Sequence, residues 1–395
     1  MRYASVVLVE SVIVDCAASG DSGGGLQAYR ANVTLKGGSR IERCYARMGG
    51  GALLAGYSDV ALLDGSVLSG CSGWGGGGMF LSASRAQLTQ SSIINCSATY
   101  GAGGIFATNR GETTLVDSHI RDCHATGYKG GGGDIGGFRV AEGRLTMIRG
   151  AITGCSAVGR FGGANVGSGG TLSLIDVLVA DCRADAEGGG GGVSVNDGTL
   201  TMSGGAVRNC QAPNGKGGGL LVASAVAQVQ LSGGATVDGC TAAYGGGMHI
   251  EYGEVSLINV SLIQCAADFF GGAIQANAGS VLHASRVRVA RCHAAGRSTA
   301  GGAVYLGGFS TWIDSTFSDC TSSRNILDLS GGVHTLTRIA ILRCHAMTYE
   351  DGGSGDGGGL GVEGATVTMV DSRIADSSAL GSGGCIHIEV GALFL

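Results

Sequence analysis

The chain has 395 residues, of which 78 are glycine and one is proline, and its formal net charge is −5. Glycine does not recur at every third residue, which excludes a collagen triple helix, and 44% apolar against 14% charged residues excludes an intrinsically disordered chain. The mild charge lacks the clustered basic face of a nucleic-acid-binding protein. No apolar run approaches the ~20 residues of a membrane-spanning helix.

The first predicted element is a strand at the N-terminus. Residues 1–10 contain a short apolar run that Glu10 interrupts, which favours a strand over a signal peptide. The repeats begin at once, and residues 386–395 end the chain equally abruptly, without a polar cap. Because solenoids need caps for solubility, we expect either part of a longer chain or end-to-end stacking.

One pattern repeats along the chain: a large apolar residue, two further residues, cysteine, one residue, alanine, and then glycines. Thirteen cysteines keep this register at gaps of 24 to 32 residues, and Ser377 takes the cysteine position in a fourteenth copy. A repeat of about 27 residues indicates a solenoid, so we predict one domain over residues 1–395. The ladder cysteines are Cys16, Cys44, Cys71, Cys96, Cys123, Cys155, Cys182, Cys210, Cys240, Cys265, Cys292, Cys320 and Cys344.

Fixed positions around each cysteine predict the course of the chain. The residue three before it is large and apolar in all fourteen copies, from Ile13 to Ile374, and is expected to point inward. The residue directly before it is polar or glycine, which marks a corner. Six residues before it stand turn formers such as Asp117 and Asp314. Glycine runs mark a further corner, because glycine adopts positive φ without strain. The Cys320 coil departs from this rule, with Ser-Ser-Arg-Asn at 322–325.

Between these corners we predict three short strands in each coil. Residues 193–195 and 199–202 exemplify the first and second strands, and the third leads into the cysteine. All alternate apolar and polar residues with period two, and helical periodicity is absent. The sequence therefore predicts an all-β fold, a right-handed parallel β-helix solenoid of about fourteen coils. Like residues are then stacked in ladders about 4.8 Å apart.

Two repeated elements resemble those of a known family. Residues 271–274 read Gly-Gly-Ala-Ile, and residues 317–320 read Phe-Ser-Asp-Cys, which is similar to a Phe-x-x-Asn element with cysteine in place of asparagine. These elements resemble the repeats of chlamydial polymorphic outer membrane proteins, within the pectin-lyase-like β-helix superfamily. The resemblance covers the whole chain and implies a surface-exposed passenger with an adhesive or structural role.

The cysteine ladder has three possible interpretations: buried thiols, disulfides between coils, or a metal site. Cysteine is among the most buried residue types. Parallel stacking brings Cα atoms within the disulfide range but keeps Cβ atoms wider apart than the ~3.8 Å that a disulfide prefers. No Cys-x-x-Cys pair of the kind usual in zinc sites occurs. We favour buried thiols, and we expect no metal and no cofactor.

The first strands carry the candidate interaction surface. We expect them to point Leu53, Phe80, Phe106, Leu221 and Tyr305 outward. A stripe of exposed apolar side chains marks a contact surface. These five residues are therefore the predicted partner or glycan face.

Histidines and carboxylates do not converge on one reacting atom. His249 and His387 belong to two His-x-Glu strands that lie five coils apart, roughly 24 Å at the stacking distance of a sheet. We interpret both as exposed strand residues, together with His124, His293 and His345. The aspartates at turn positions are mostly several coils apart, and no polygalacturonase-type Asn-Thr-Asp motif occurs. We predict no catalytic residue.

The sequence thus favours a non-enzymatic, extracellular or cell-surface β-helix with a structural or adhesive role, whose partners are glycans or surface proteins. Two alternatives stay open. One is a carbohydrate-active enzyme, either a polysaccharide lyase or a glycoside hydrolase of the pectin-lyase-like superfamily. The other is a filament subunit that associates end to end, because open strand edges template further pairing.

Overall fold

A computed structural model describes residues 4–20, 23–127, 134–295, 302–347 and 357–395. All regular elements within these ranges are β-strands, and neighbouring coils pair their strands in parallel. The described residues contain no helix that could cross a membrane. Coils recur about every 27 residues, which makes the protein an all-β parallel solenoid of about fourteen coils, as the repeat predicts.

The chain divides into two compact units, Met1–Thr201 and Met202–Leu395, with seven ladder positions each. The ladder positions are the thirteen ladder cysteines and Ser377. We number the coils 1 to 14 by these positions, and each coil begins at the third strand, which directly precedes its ladder position. First and second strands belong to sheet A and third strands to sheet B. The segment after each cysteine, where we predicted no strand, also pairs with its neighbours and forms sheet C. Each coil therefore has a fourth short strand, the corner strand.

Unit 1 has separate strands throughout. Its first strands are Leu26–Tyr29, Leu53–Gly56, Met79–Ser82, Ile105–Thr108, Phe138–Ala141, Ala164–Gly167 and Val193–Val195. Its second strands are Ala4–Val9, Ala31–Lys36, Asp59–Leu62, Arg85–Thr89, Glu112–Val116, Arg144–Ile148, Thr171–Ile175 and, across the unit boundary, Thr199–Ser203. Its third strands are Val12–Val14, Arg40–Glu42, Val67–Ser69, Ser92–Ile94, His119–Arg121, Ala151–Thr153 and Leu178–Ala180. Its corner strands are Ala17–Ala18, Tyr45–Ala46, Ser72–Gly73, Ser97–Ala98, His124–Ala125, Ser156–Ala157 and Arg183–Ala184.

In unit 2 the first and second strands fuse in four coils. The fused strands are Met248–Ile258, Ile274–Ser285, Leu360–Val370 and Ile386–Phe394. Separate first strands are Leu220–Val222, Val304–Leu306 and Leu327–Ser330, and separate second strands are Gln228–Ser232, Phe309–Ile313 and Val333–Thr337. The third strands are Ala206–Arg208, Thr236–Asp238, Ser261–Ile263, Arg288–Ala290, Thr316–Ser318, Ala340–Leu342 and Arg373–Ala375. The corner strands are Gln211–Lys216, Thr241–Tyr244, Ala266–Phe270, His293–Ala294, Thr321–Ser322, His345–Ala346 and Ser378–Ala379.

The apolar ladder three residues before the cysteine forms the core under sheet B. Ile41 lies in register with Ile13 in the preceding coil and with Leu68 in the following one. Side chains at this position are fully buried in coils 2 to 13, whereas Ile13 and Ile374 in the outermost coils are partly exposed. Because burial of one such side chain stabilises a fold by about 1.5–3 kcal/mol, the ladder is a main source of stability.

Left-handed residues make the two corners that flank each third strand. The residue directly before every ladder position has φ between 51° and 63°, and the residue six before it has φ between 47° and 80°, in all fourteen coils. Asp, Asn and Gly adopt this conformation most readily. The predicted turn role of Asp117 and Asp314 is therefore confirmed.

The ladder cysteines hold these corners closed. The Cys96 thiol donates a hydrogen bond to the Ile94 carbonyl oxygen across the left-handed residue, at 3.4 Å. The Ser377 hydroxyl makes the same bond to the Ala375 carbonyl oxygen, at 3.3 Å. It also accepts a hydrogen bond from the backbone N–H of Cys344, at 3.3 Å. A small side chain with an S–H or O–H donor meets this requirement, so serine can replace cysteine in the last coil.

Candidate functional site

The outward-facing residues of the first strands form one continuous row in each unit, here called the outer row. In unit 1 it consists of Gln27, Leu54, Phe80, Phe106, Arg139, Asn165 and Ser194. In unit 2 it consists of Leu221, His249, Gln275, Tyr305, Asp328, Gly361 and His387.

The prediction that Leu53 points outward is wrong. Leu53 lies in register with Met79 on the inward face and is 0% exposed. Its neighbour Leu54 takes the outward place beside Phe80. A strand has a side-chain period of two, so an error of one residue in register exchanges its two faces.

The other four residues of the predicted face do lie in the outer row, with different degrees of cover. Phe80 and Phe106 are partly exposed, and their rings meet edge to face with centroids 5.3 Å apart. Tyr305 is partly exposed and packs against Phe270. Leu221 is only 2% exposed, so it is not a surface residue. The corner strand of its coil extends to Lys216.

His249 is buried, which contradicts the expectation of an exposed strand residue. It is 1% exposed, and its neighbour in register, Gln275, is a side chain that interacts with its ring. Burial and then the nearby charge of Lys216 lower its pKa to about 3. Lys216 is itself paired with Glu251, two residues further along the His249 strand. His249 is therefore a buried, neutral imidazole near the Lys216–Glu251 ion pair.

Histidines that follow ladder cysteines have a structural role. Each places Nδ1 within hydrogen-bond distance of a hydroxyl oxygen in the next coil, and their separation in different coils agrees with the prediction. The contacts are His124 with Ser156 at 2.8 Å, His293 with Thr321 at 2.8 Å, and His345 with Ser378 at 2.9 Å.

The ladder cysteines are unbridged in the structure. Cys16 is partly exposed and the other twelve are buried. Burial raises the pKa of Cys44 to about 11 and also raises the pKa of Cys292. The Cys44 and Cys292 thiols, which are buried and protonated, are therefore poor nucleophiles. Within the described ranges no three His, Cys, Asp or Glu side chains are grouped so as to hold a metal.

A groove that sequence reasoning missed crosses the outward face of the second strands in coils 1 to 4. It has a volume of about 590 Å³. Ala61 lies in register between Thr34 and Gln87, and its short side chain leaves the depression. The remaining lining includes Asn32, Asp59, Arg85, Glu112 and Thr114.

Charged groups of opposite sign alternate along this groove. Asp59, Arg85 and Glu112 occupy one register position in successive coils. Arg85 Nε lies 3.4 Å from a Glu112 carboxylate oxygen. The groove continues past Tyr57, which is 58% exposed and meets Tyr29 edge to face with centroids 5.8 Å apart. Hydrogen-bond donors, acceptors and an exposed aromatic ring thus meet in one open groove.

Comparison with known proteins defines the family. The model of the right-handed β-helix region matches residues 29–234, more than half of the chain, and the chain belongs to this family. No curated protein matches it. Six solved chains do, among them the PL6-family alginate lyase AlyGC. That match covers 98% of this chain and 86% of the lyase at 9% identity, with a TM-score of 0.22, and carries no argument about activity. The predicted right-handed parallel β-helix is confirmed.

Proposed function

We propose that this protein is a non-enzymatic, extracellular or cell-surface β-helix that binds glycans along the groove of coils 1 to 4. The observation that carries the proposal is the composition of that groove. Asn32, Asp59, Arg85 and Gln87 offer amide, carboxylate and guanidinium groups within one surface of about 590 Å³, with Tyr57 at its edge.

Sugar recognition needs this combination of groups. Vicinal hydroxyls accept from a guanidinium or amide N–H and donate to a carboxylate, and charge-assisted bonds of this kind are the stronger ones. The apolar face of a sugar ring packs on an aromatic side chain such as Tyr57, which has one apolar face and a polar tip. Because acidic and basic groups alternate in the groove, a neutral glycan fits it better than a strongly charged one.

The shape of the groove favours extended ligands and multivalent binding. The groove crosses from one coil to the next, so successive sugar units of a bound glycan can contact successive coils. A single open groove of this kind gives modest affinity, and several linked contacts raise the overall affinity through effective concentration. An adhesive surface protein works in this way. The resemblance to polymorphic outer membrane protein repeats, with Phe80 and Phe106 as a second contact for a partner, supports the same function.

One observation favours the enzyme alternative. Asp59 and Glu112 lie two coils apart in the same row, which corresponds to about 9.6 Å between their Cα atoms. Inverting glycosidases place two carboxyl groups about 6.5–9.5 Å apart, which side chains on Cα atoms at this spacing can reach. A general acid, however, needs a desolvated environment that raises its pKa, whereas the Glu112 side chain is 61% exposed and contacts Arg85. We therefore favour binding over cleavage.

A glycan array probed with the full chain tests the proposal. We expect binding to neutral oligosaccharides, and at least about tenfold weaker binding for Arg85→Ala, because the loss of a charge-assisted hydrogen bond costs about 1.5–3 kcal/mol. The matched control is Ser173→Ala, an outward second-strand change outside the groove, which should bind normally.

Each alternative has its own result. Absence of glycan binding, or equal binding by Arg85→Ala, would contradict the groove. Release of new reducing or unsaturated ends from the bound glycan would instead establish the carbohydrate-active enzyme. In that case Asp59→Asn and Glu112→Gln should abolish the release.

A further inference from the structure

The corner of coil 12 differs from every glycine-rich corner of the chain. Ser322, Ser323, Arg324 and Asn325 stand there, and the Asn325 side chain turns toward the following coil. Any side chain added at Gly361 would overlap the Asn325 amide.

Gly361 is a gap in the outer row of unit 2, and Asn325 fills it. Gly361 lies in register with Asp328 on one side and with His387 on the other. The Asn325 amide therefore takes the place of the missing side chain, next to Asp328. A half-turn of the amide exchanges its oxygen and nitrogen, so the carbonyl oxygen can face either neighbour.

Oxygen atoms on three buried side chains at this corner lack a well-formed hydrogen bond within the described part of the chain. Asp328 is 1% exposed, and its carboxylate has only a poorly aligned contact with the Asn325 amide. The Asn325 amide oxygen and the Ser323 hydroxyl are buried and unpartnered. A buried carboxylate without a well-formed hydrogen bond is strongly destabilising, so a bound cation would stabilise this cluster.

Nearby charges leave a surplus of carboxylate. Arg324 reaches both outer carboxylates, with nitrogen–oxygen distances of 3.9 Å to Glu363 and 3.6 Å to Glu389. The charges of Arg324 and Glu363 both act on Asp328. Within the described residues, three carboxylates therefore lie near one guanidinium, and Arg324 forms ion pairs with Glu363 and Glu389.

We propose that the coil 12 corner binds a Ca²⁺ ion through the Asp328 carboxylate and the Asn325 amide oxygen, with the Ser323 hydroxyl, backbone carbonyls and water completing the shell. Carboxylate, amide and hydroxyl oxygens are the ligands of hard cations, whereas Zn²⁺ selects nitrogen and sulfur. Ca²⁺ accepts irregular shells of six to eight oxygens, and Mg²⁺ demands a near-ideal octahedron. With one carboxylate in direct reach, we expect a dissociation constant on the order of 10⁻⁴ to 10⁻³ M, the range of extracellular calcium modules.

Calcium-dependent thermal unfolding of the full chain tests this site. After removal of metal with EDTA, about 5 mM CaCl₂ should raise the unfolding temperature of unit 2 by about 3 °C, and the same concentration of MgCl₂ should raise it less. Asp328→Asn preserves the shape of the side chain but removes the charged ligand, so its unfolding temperature should not respond to Ca²⁺.

Asp134→Asn is the matched control, because Asp134 is another carboxylate at 1% exposure with an unpartnered oxygen. This variant should keep the full calcium response. Tb³⁺ gives a direct readout of occupancy: Tyr305 lies next to Asp328 in the outer row, so excitation of tyrosine should sensitise Tb³⁺ emission. That emission should disappear in Asp328→Asn and weaken in Tyr305→Phe.

The proposal is overturned if Ca²⁺ does not change the unfolding temperature of the wild-type protein. It is equally overturned if Asp328→Asn keeps the same calcium response and the same Tb³⁺ emission. Since the groove lies in unit 1 and this corner in unit 2, loss of either function leaves the other testable.

Discussion

Arg343 holds the carboxylate of Asp319, which occupies the same corner position one coil earlier, through two parallel hydrogen bonds. Nε lies 2.8 Å from Oδ1, and Nη2 lies 3.0 Å from Oδ2. The same two-bond contact joins Arg43 to Asp15 at this position in unit 1. These pairs lie on the surface at left-handed residues, where both side chains point away from the core.

The Arg343–Asp319 pair should make a small, salt-sensitive contribution to stability. The hydrogen bonds from Arg343 lower the pKa of Asp319 below 3.8, so the contribution is present above that pH and is lost as the pH falls. We expect Arg343→Gln to lower the urea midpoint at neutral pH in low salt. The difference from wild type should shrink in about 1 M NaCl, where the Debye length is about 3 Å, and should also shrink as the pH falls below 3.8.

Exposed Arg288 in the same unit provides the control. Arg288→Gln should leave the urea midpoint unchanged in either salt. Equal effects of the two substitutions would show that loss of a surface arginine, rather than loss of this pair, is responsible.

Cysteine at the ladder position should be replaceable by serine but not by alanine. Cys123 is fully buried, and its thiol donates to the Arg121 carbonyl oxygen at 3.4 Å. Cys123→Ala removes one of two hydrogen bonds to that carbonyl oxygen, which keeps the bond from the Asn95 backbone N–H, and it opens a small cavity, so the free energy of unfolding should fall by about 1–2 kcal/mol. Cys123→Ser keeps a donor, as Ser377 does in coil 14, and should lose less than the alanine variant in the same urea titration.

Thiol labelling provides an independent measurement of the ladder. Exposed Cys385 lies outside it and should react with a thiol reagent at once. The buried ladder thiols should react only after unfolding. Fast labelling of Cys123 in the folded protein would contradict the closed core.

Glycine is required where the corners of adjacent coils touch. A Cβ atom added at Gly77 would overlap the carbonyl oxygen of Gly103 and the backbone of Ser97. We expect Gly77→Ala to lower the free energy of unfolding by about 3 kcal/mol, because the backbone of the next coil has to move. Gly20 has no atom within 4 Å of such a Cβ, and Gly20→Ala should stay within about 0.5 kcal/mol of wild type. Circular dichroism during urea unfolding measures both, and equal values would refute a steric role for the corner glycines.

His249 should make unit 2 sensitive to acid. Its pKa is lowered to about 3 in the fold from 6.5, first by burial and second by the charge of Lys216. Stability is therefore fully present above about pH 6.5 and declines as the pH falls toward 3, by about 1.4 kcal/mol per pH unit from this one group. His249→Gln should remove that component, whereas His119→Gln, at an exposed position, should retain it. Urea titrations at a series of pH values measure the slope.

Corner positions were predictable because they are set by the local sequence. Asp, Asn and Gly recur at a fixed distance from the cysteine, and each favours the left-handed conformation without help from distant contacts. The inward ladder was predictable for a similar reason, since a residue that is apolar in every coil can only face a shared core. The register of the first strand was not fixed by such a rule, which is why Leu53 was assigned to the wrong face.

The groove was hidden by a change in spacing. Asp59 lies twelve residues before the next ladder cysteine in the chain, whereas Arg85 and Glu112 each lie eleven residues before theirs. Counting from the ladder therefore does not align the three residues. The burial of His249 depends on residues of other strands, such as Lys216, and cannot be predicted from the sequence of its own strand. The Asn325 amide fits beside Asp328 because Gly361, in register with Asp328 in the next coil, has no side chain. All three features arise between coils.

The surface pairs also solve a problem that a repetitive core creates. Every coil contributes nearly the same aliphatic, cysteine and alanine residues to the core. Core packing alone therefore differs little between pairing with the adjacent coil and pairing with the coil after it. In the last four coils the residue before the ladder position reads Arg291, Asp319, Arg343, Asp376, and opposite charges act on one another along this column. Omission of one coil would bring Asp319 against Asp376. The alternating charges in this column therefore favour the pairing of each coil with its correct neighbour as the chain folds.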